Sequence, residues 1–128
     1  MVIRVVRLGE QRVEGEGTRI GTVRRPPRGV PKAAFASGNW YDVWYPALAP
    51  SVETMKVGQE AGTPAQWQAF VKKYRTEMAQ PESSRTLDLL AALSQNANFS
   101  VGCYCEDESH CHRSVLRTLL TERGAKMA

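Results

Sequence analysis

The amino-acid sequence predicts an α/β protein: a single domain spanning residues 1–128, with a partly parallel β-sheet flanked by helices. Two stretches near the N-terminus are rich in β-branched residues, and a third near the C-terminus has the two-residue alternation of a strand. Elsewhere, apolar residues recur every three to four positions, which is the spacing of amphipathic helices. Strands separated by helices are typical of sheets with parallel neighbours.

The first two strands are predicted from VIRVVRL and TRIGTV, which the turn-forming EGEG separates. Residues 24–62 follow as an irregular, proline-rich insertion, with at most short helical turns near NWYDVW and SVETMK. The prolines that exclude long helices stand at positions 26, 27, 31, 46 and 50. Loops that carry function are expected in such a segment.

A helix is predicted to begin at Thr63, because a threonine cap, a proline at the first helical position and a glutamine three residues after the cap occur together. Its apolar stripe ends before Pro81 and consists of Trp67, Phe70, Val71, Tyr74 and Met78. We expect the helix to bury Trp67, Phe70 and Tyr74. A second helix is predicted for SSRTLDLLAALSQ, with a serine cap and with Leu87, Leu90, Ala91 and Leu93 turned inward.

The C-terminal part is predicted to contain a buried strand and then a helix. Residues 98–105 alternate in the manner of a strand, which would place Cys103 and Cys105 on one face of the sheet. Residues 110–123 have the apolar spacing of a helix, with Ser109 as its cap and Gly124 as its C-terminal stop.

The stretch GCYCEDESHCHRSV holds all three cysteines and both histidines of the chain. Cys105 is expected near the carboxyl end of its strand, where open α/β sheets bind ligands. Cys111, His112 and Arg113 fall in the first turn of the following helix, where free N–H groups and the helix dipole stabilise a thiolate or a bound anion. We therefore expect these four residues to line one concave site.

The sequence leaves three alternatives for this cluster: core packing, functional thiols or a metal site. Cys103 is expected to pack in the core, whereas Cys105 and Cys111 are either core residues or functional thiols, including an attacking and a resolving pair. The third alternative is a zinc or iron site made by Cys105, Cys111 and one of the two histidines, His110 or His112, with Cys103 as a less accessible fourth ligand. The spacing matches no common closed zinc motif, and no cofactor is specified.

The net charge of +4 is concentrated in the proline-rich loop at Arg24, Arg25 and Arg28. Together with Arg113, Arg25 and Arg28 are candidates for binding an anionic small molecule. A nucleic-acid partner is a weaker alternative, because the basic loop is followed by aromatic residues that could stack on single-stranded bases or instead anchor the loop in the core. Those aromatics are Trp40, Tyr41, Trp44 and Tyr45.

Several classes of protein do not fit the sequence. Arg4 and Arg7 interrupt any signal-peptide core, and no stretch approaches eighteen apolar residues, so neither secretion nor membrane insertion is expected. Three clustered cysteines do not form a disulfide framework, which favours a reducing cytoplasm. Cys105 lies eight positions before Arg113, too far for the phosphatase-type loop of a cysteine, five residues and an arginine.

CYCEDESHCHRSVL resembles the cysteine motif of the family termed domain of unknown function 488, with matches at Cys103, Cys105, Cys111, His112 and Arg113. A second block agrees, and it comprises PRG at residues 27–29, the Trp44–Ser51 segment, and Trp67, Phe70, Tyr74 and Glu77. The basic loop reads RRPPRG where one branch of the family has a tryptophan. The resemblance implies a compact cytoplasmic α/β domain of bacteria or archaea and supplies no established reaction or cofactor.

Overall fold

The computed structural model describes residues 1–128 and confirms the α/β class, with four helices and a four-stranded sheet. The strands are β1 (Ile3–Arg7), β2 (Thr18–Gly21), β3 (Val43–Trp44) and β4 (Phe99–Cys103). The helices are α1 (Val52–Glu60), α2 (Pro64–Met78), α3 (Pro81–Leu93) and α4 (His112–Glu122). Short 3-10 turns cover Lys32–Ala34, Pro46–Leu48 and Glu108–His110. None of the helices combines the length and the apolar composition that crossing a membrane requires.

The sheet has the order β1-β4-β2-β3, and every neighbouring pair is parallel, so the sheet is more regular than the partly parallel one predicted. β4 lies between β1 and β2, with Arg7 opposite Cys103 on one side and Gly21 opposite Gly102 on the other. All four strands therefore end at the same edge. The residues that follow them meet there, as in other open parallel sheets.

The core lies between the sheet and the helices, and all five residues of β4 are buried. α2 begins as predicted, since the Thr63 side chain accepts a hydrogen bond of 3.2 Å from the backbone N–H of Gln66. Phe70 and Tyr74 of its apolar stripe are buried, whereas Trp67 is only half-buried because it lies at the edge of a cleft.

The proline-rich insertion is more ordered than the sequence predicts. α1 runs for nine residues from a Ser51 cap, and the Glu77 carboxylate of α2 binds this end by accepting hydrogen bonds from Ser51 and Thr54. Gly58 lets α1 approach α2, because a Cβ at this position would lie 2.7 Å from the Phe70 ring. These tertiary contacts give a full helix where only short turns were expected.

The prediction was also wrong about the end of β4 and the start of α4. β4 ends at Cys103, so Cys105 lies on an exposed loop and does not share a strand face with Cys103. Ser109 is part of a 3-10 turn that the Asp107 side chain caps by accepting hydrogen bonds from the Ser109 N–H and hydroxyl. α4 starts three residues later, with Cys111 as its N-cap residue.

Candidate thiol site in a basic cleft

A cleft of about 1040 Å³ opens at the carboxyl edge of the sheet. The proline-rich loop forms one side of the cleft, and residues of α1 and α2 form another. The end of β4, the loop after it and the start of α4 bring the three cysteines and His112 to the lining. The place is the one expected for ligand binding in an open α/β sheet.

Three different elements bring the cysteine side chains together. Cys103 is the last residue of β4, Cys111 caps α4, and both are 2% exposed. Cys105 lies between them on the exposed loop, and its backbone N–H lies 3.5 Å from the Cys103 sulfur. Hydrogen bonding from the Cys103 and Cys111 thiols lowers the pKa of Cys105 below its ordinary value. The same contacts, together with burial, raise the pKa of Cys103.

His112 is held in one orientation by β2. Its Nε2 lies 2.7 Å from the Thr22 carbonyl oxygen, which can only accept, so this nitrogen carries the proton. The lone pair of Nδ1 then faces the Cys111 sulfur, 3.8 Å away. Burial lowers the pKa of His112 to about 4, so the ring is neutral near neutral pH. A neutral imidazole of this kind can accept a proton or ligate a metal.

Arg113 is buried beneath the loop, with a 3% exposed side chain. Its Nη2 donates a hydrogen bond of 2.6 Å to the carbonyl oxygen of Cys105, and its Nε has no hydrogen-bond partner. None of the salt bridges of the protein includes Arg113. Burial lowers the pKa of this group, but the neighbouring Cys111 and Cys103 sulfurs outweigh that effect and raise it.

The proline-rich loop brings two free cations to the same cleft. Arg25 and Arg28 line it, are exposed, and have no hydrogen-bond or ion-pair partner for their guanidinium groups. Arg24 is occupied, since it donates to the carbonyl oxygens of Ala49 and Pro50. The Tyr104 hydroxyl donates a hydrogen bond of 2.8 Å to the Arg25 carbonyl oxygen and fixes the loop above the end of β4.

The family model described as "Active DUF488-N3 subclade" matches residues 3–124. The chain belongs to the DUF488 family. No curated protein and no solved structure matches the chain. The site of this DUF488 domain therefore has to be interpreted from its own residues.

In the DUF488 domain, five of the residues predicted for the site line one cleft. They are Cys105, Cys111, His112, Arg25 and Arg28. Arg113 lies behind the loop and not among the lining residues, so it contacts the backbone of Cys105 and not the cleft. Of the four aromatics considered for nucleic-acid stacking, only Trp40 lines the cleft; Tyr41 is buried, and Trp44 donates to the Val23 carbonyl oxygen.

Sequence reasoning missed three residues of this DUF488 site. Thr22 orients His112, but the two are 90 positions apart, and only the neighbouring positions of β2 and β4 bring them together. Tyr104 positions the basic loop, although it appeared in the sequence only as an alternating strand residue. Arg7 lines the cleft and donates to the Tyr104 carbonyl oxygen at 3.1 Å; its place at the end of β1 was the one signal that could have found it.

A metal ion could also use part of the DUF488 cluster. The ligand atoms of Cys103, Cys111 and His112 all lie within 4.8 Å of one another. The predicted set contained Cys105, Cys111 and His112, with Cys103 as the less accessible fourth ligand. The structure instead places buried Cys103 in the compact group and Cys105 on its exposed side.

Proposed function

We propose that the chain binds a small anionic molecule in the cleft and that Cys105 acts on it as a nucleophilic thiolate. The observation that carries the proposal is the buried guanidinium of Arg113, which has no carboxylate partner and lies beside the cysteine cluster. An unpaired charge is costly to bury, so a neighbouring group should carry the opposite charge. A thiolate is the one anion that the adjacent cysteines can supply.

Cys105 is the natural carrier of that negative charge. It is the exposed thiol of the three, so it reaches the cleft, while the buried Cys103 and Cys111 can donate their S–H groups to its sulfur. Arg113 holds the Cys105 backbone from beneath, which makes it a positioning residue. A reducing compartment, which the three free thiols favour, would keep the nucleophile available.

In the proposed step, the Cys105 sulfur donates an electron pair to an electrophilic atom of the bound molecule. A sulfur–substrate bond forms, and the leaving group departs with its bonding electron pair. Arg25 and Arg28 bind the anionic part of the molecule. Cys111 lies nearby as a second thiol, with its sulfur 3.8 Å from His112 Nδ1.

Alkylation with a charged and an uncharged reagent tests both parts of the proposal. Both iodoacetate and iodoacetamide transfer a two-carbon group to a thiolate with loss of iodide, but only iodoacetate is an anion. We expect Cys105 to be the first cysteine modified, as located by mass spectrometry. We also expect the ratio of the iodoacetate rate to the iodoacetamide rate to be higher at Cys105 than in a short cysteine peptide. Inorganic phosphate should slow the modification by competing for the arginines.

Three arginine variants test whether the preference for iodoacetate arises from the cations of the cleft. Arg25→Gln and Arg28→Gln should reduce the preference for iodoacetate, while Arg85→Gln, which removes the same charge from an exposed position of α3, should leave it unchanged. Equal reactivity of Cys103, Cys105 and Cys111 would overturn the nucleophile assignment. An identical preference in all three arginine variants would overturn the anion assignment.

A second candidate function, zinc or iron binding, is favoured by the arrangement around His112. Metal-ligating histidines commonly donate their other ring N–H to a backbone carbonyl, and His112 does so to Thr22 at 2.7 Å. Cys103 and Cys111 would supply the sulfur ligands. Metal analysis of protein purified without a chelator tests this function. One equivalent of metal that is lost in Cys111→Ser would support it over the thiol chemistry, and its absence would exclude it.

A further inference from the structure

The cleft has two chemically different parts, and a simple inorganic anion would use only one of them. Arg25 and Arg28 provide unpartnered positive charge on the proline-rich loop. The lining also includes the aromatic side chains of Trp40, Trp67, Phe70 and Tyr104. Aromatic rings that line a cleft are typical of sites that bind a planar apolar group.

The rings are already packed in fixed positions. Trp67 stacks on Phe70 with ring centroids 4.7 Å apart, and His110 meets Trp67 edge-on at 5.4 Å. Trp67 remains only half-buried, so part of its ring is accessible from the cleft. A second edge-on pair, Trp40 and Tyr104, has centroids 6.0 Å apart. Rings held in this way lose little conformational freedom when a ligand stacks on them.

The charged part of the cleft is also held in place. Pro26 and Pro27 restrict the backbone between the two arginines, and the Tyr104 hydroxyl holds the Arg25 carbonyl oxygen. Tyr104 thus contacts the cationic loop with its hydroxyl and the aromatic lining with its ring. Two free guanidinium groups suit a phosphate, because arginine binds its oxygens in pairs.

We propose that the cleft binds a mononucleotide, with its phosphate at Arg25 and Arg28 and its base against the aromatic lining. This inference rests on the proposed function, since it names the class of anion that would reach Cys105. The volume of about 1040 Å³ lies just above the range of roughly 300–1000 Å³ for small-molecule sites, and it exceeds what an inorganic anion needs.

The proposal is tested by comparing the binding of whole mononucleotides with the binding of their sugar-phosphate and nucleoside parts. Isothermal titration calorimetry would compare adenosine, guanosine, cytidine and uridine 5′-monophosphates with ribose 5-phosphate and with the four nucleosides. We expect at least one nucleotide to bind about tenfold or more tightly than ribose 5-phosphate and than its own nucleoside. If no nucleotide binds more tightly than ribose 5-phosphate, the proposal is overturned.

Variants distinguish the two subsites. Trp67→Leu should weaken the nucleotide and leave ribose 5-phosphate unchanged, whereas Arg28→Gln should weaken both. Trp44→Leu is the matched control, because Trp44 is 43% exposed and lies outside the cleft. An equal loss in Trp44→Leu and Trp67→Leu would contradict a stacking role for Trp67.

Protection of Cys105 from alkylation separates this inference from the proposed function. If ribose 5-phosphate protects Cys105 as well as every nucleotide does, the anion-binding thiol site stands and the mononucleotide inference falls. If Cys105 shows no selective reactivity while a nucleotide still binds, the inference about the ligand stands and the nucleophile assignment falls.

Discussion

Arg113 donates a hydrogen bond of 2.6 Å from its guanidinium Nη2 to the backbone carbonyl oxygen of Cys105. The contact closes the loop between β4 and α4 and places a buried cation beneath an exposed thiol. The Arg113 side chain thus both fixes the position of the Cys105 backbone and supplies a positive charge near its thiol. Arg113 therefore acts on the cleft through Cys105 and not by reaching a bound molecule itself.

Replacing Arg113 by methionine should move the midpoint of Cys105 alkylation to higher pH and slow the reaction at pH values below that midpoint. The substitution removes a positive charge that favours the thiolate, and below the midpoint each unit by which the pKa rises lowers the thiolate population about tenfold. Arg113→Lys retains the charge and should recover part of the rate. The measurement is the alkylation rate of Cys105 followed by mass spectrometry.

Arg117→Met provides the control for that experiment. Arg117 lies on the same helix but pairs with Glu108 at 2.9 Å, away from the thiols, so the Cys105 rate should not change. A rate in Arg113→Met equal to that of the unmodified protein would show that the guanidinium does not influence the thiol.

His112 should remain neutral down to mildly acidic pH. Burial lowers its pKa to about 4 from an ordinary value of 6.5, so the unfolded chain takes up a proton before the folded chain does. This difference makes folding stability decrease as the pH falls from about 6.5 to about 4. Proton NMR of the imidazole, assigned with His110→Gln, should show a midpoint near the lower value. A midpoint at or above 6.5 would contradict the buried neutral ring.

The buried Glu16–Arg19 pair should make the fold sensitive to acid. Burial raises the pKa of Glu16, but hydrogen bonds from Arg19 and Ser100 outweigh it and hold the pKa at about 2, below the ordinary 4.5. The stabilising contribution is therefore complete above about pH 4.5 and is lost as the pH falls towards 2. Urea unfolding at a series of pH values measures this loss.

Glu16→Gln tests the same pair directly. The variant leaves the Arg19 guanidinium buried without its counter-charge and should lose about 3–5 kcal/mol of unfolding free energy near neutral pH. Its stability should also depend less on pH below about 4.5 than that of the unmodified protein. Parallel pH curves for the two proteins would show that Glu16 does not carry the acid dependence.

Phe70→Ala should cost about 3–5 kcal/mol, the usual range for truncating a buried phenylalanine. Phe70 is 3% exposed and packs between Trp67 and Tyr74, with ring centroids 4.7 Å and 6.0 Å away. Gln68→Ala, at an exposed position of the same helix, is the control and should change stability little. A loss of less than about 1 kcal/mol in Phe70→Ala would be inconsistent with a core position.

The elements that rest on local signals were predicted well from the sequence. The Thr63 cap and the apolar stripe of α2 are both present, because capping and helical spacing act within a few residues. β3 was missed since it has only two residues and depends on hydrogen bonds such as that from the Tyr45 N–H to the Gly21 carbonyl oxygen. Cys105 was assigned to β4 because the alternation continues in the sequence after the strand pairing has ended.

The composition of the site was predicted better than its geometry. Local spacing correctly brought Cys111 and His112 to the start of α4 and near the end of the sheet. The sequence could not show where the Arg113 side chain points, because its burial depends on how the loop at Cys105 folds back over α4. The convergence of Arg25 with the cysteines likewise depends on the Tyr104 hydroxyl, a contact between residues 79 positions apart.

The pH dependence of Cys105 alkylation tests the central claim most directly. Rates with iodoacetamide, measured for each cysteine by mass spectrometry, would be compared between the unmodified protein and Cys105→Ser. We predict a fast reaction confined to Cys105, absent from Cys105→Ser, with a midpoint well below the ordinary cysteine value of about 8.5. A midpoint at or above that value, or a fast reaction that persists in Cys105→Ser, would contradict a thiolate at Cys105.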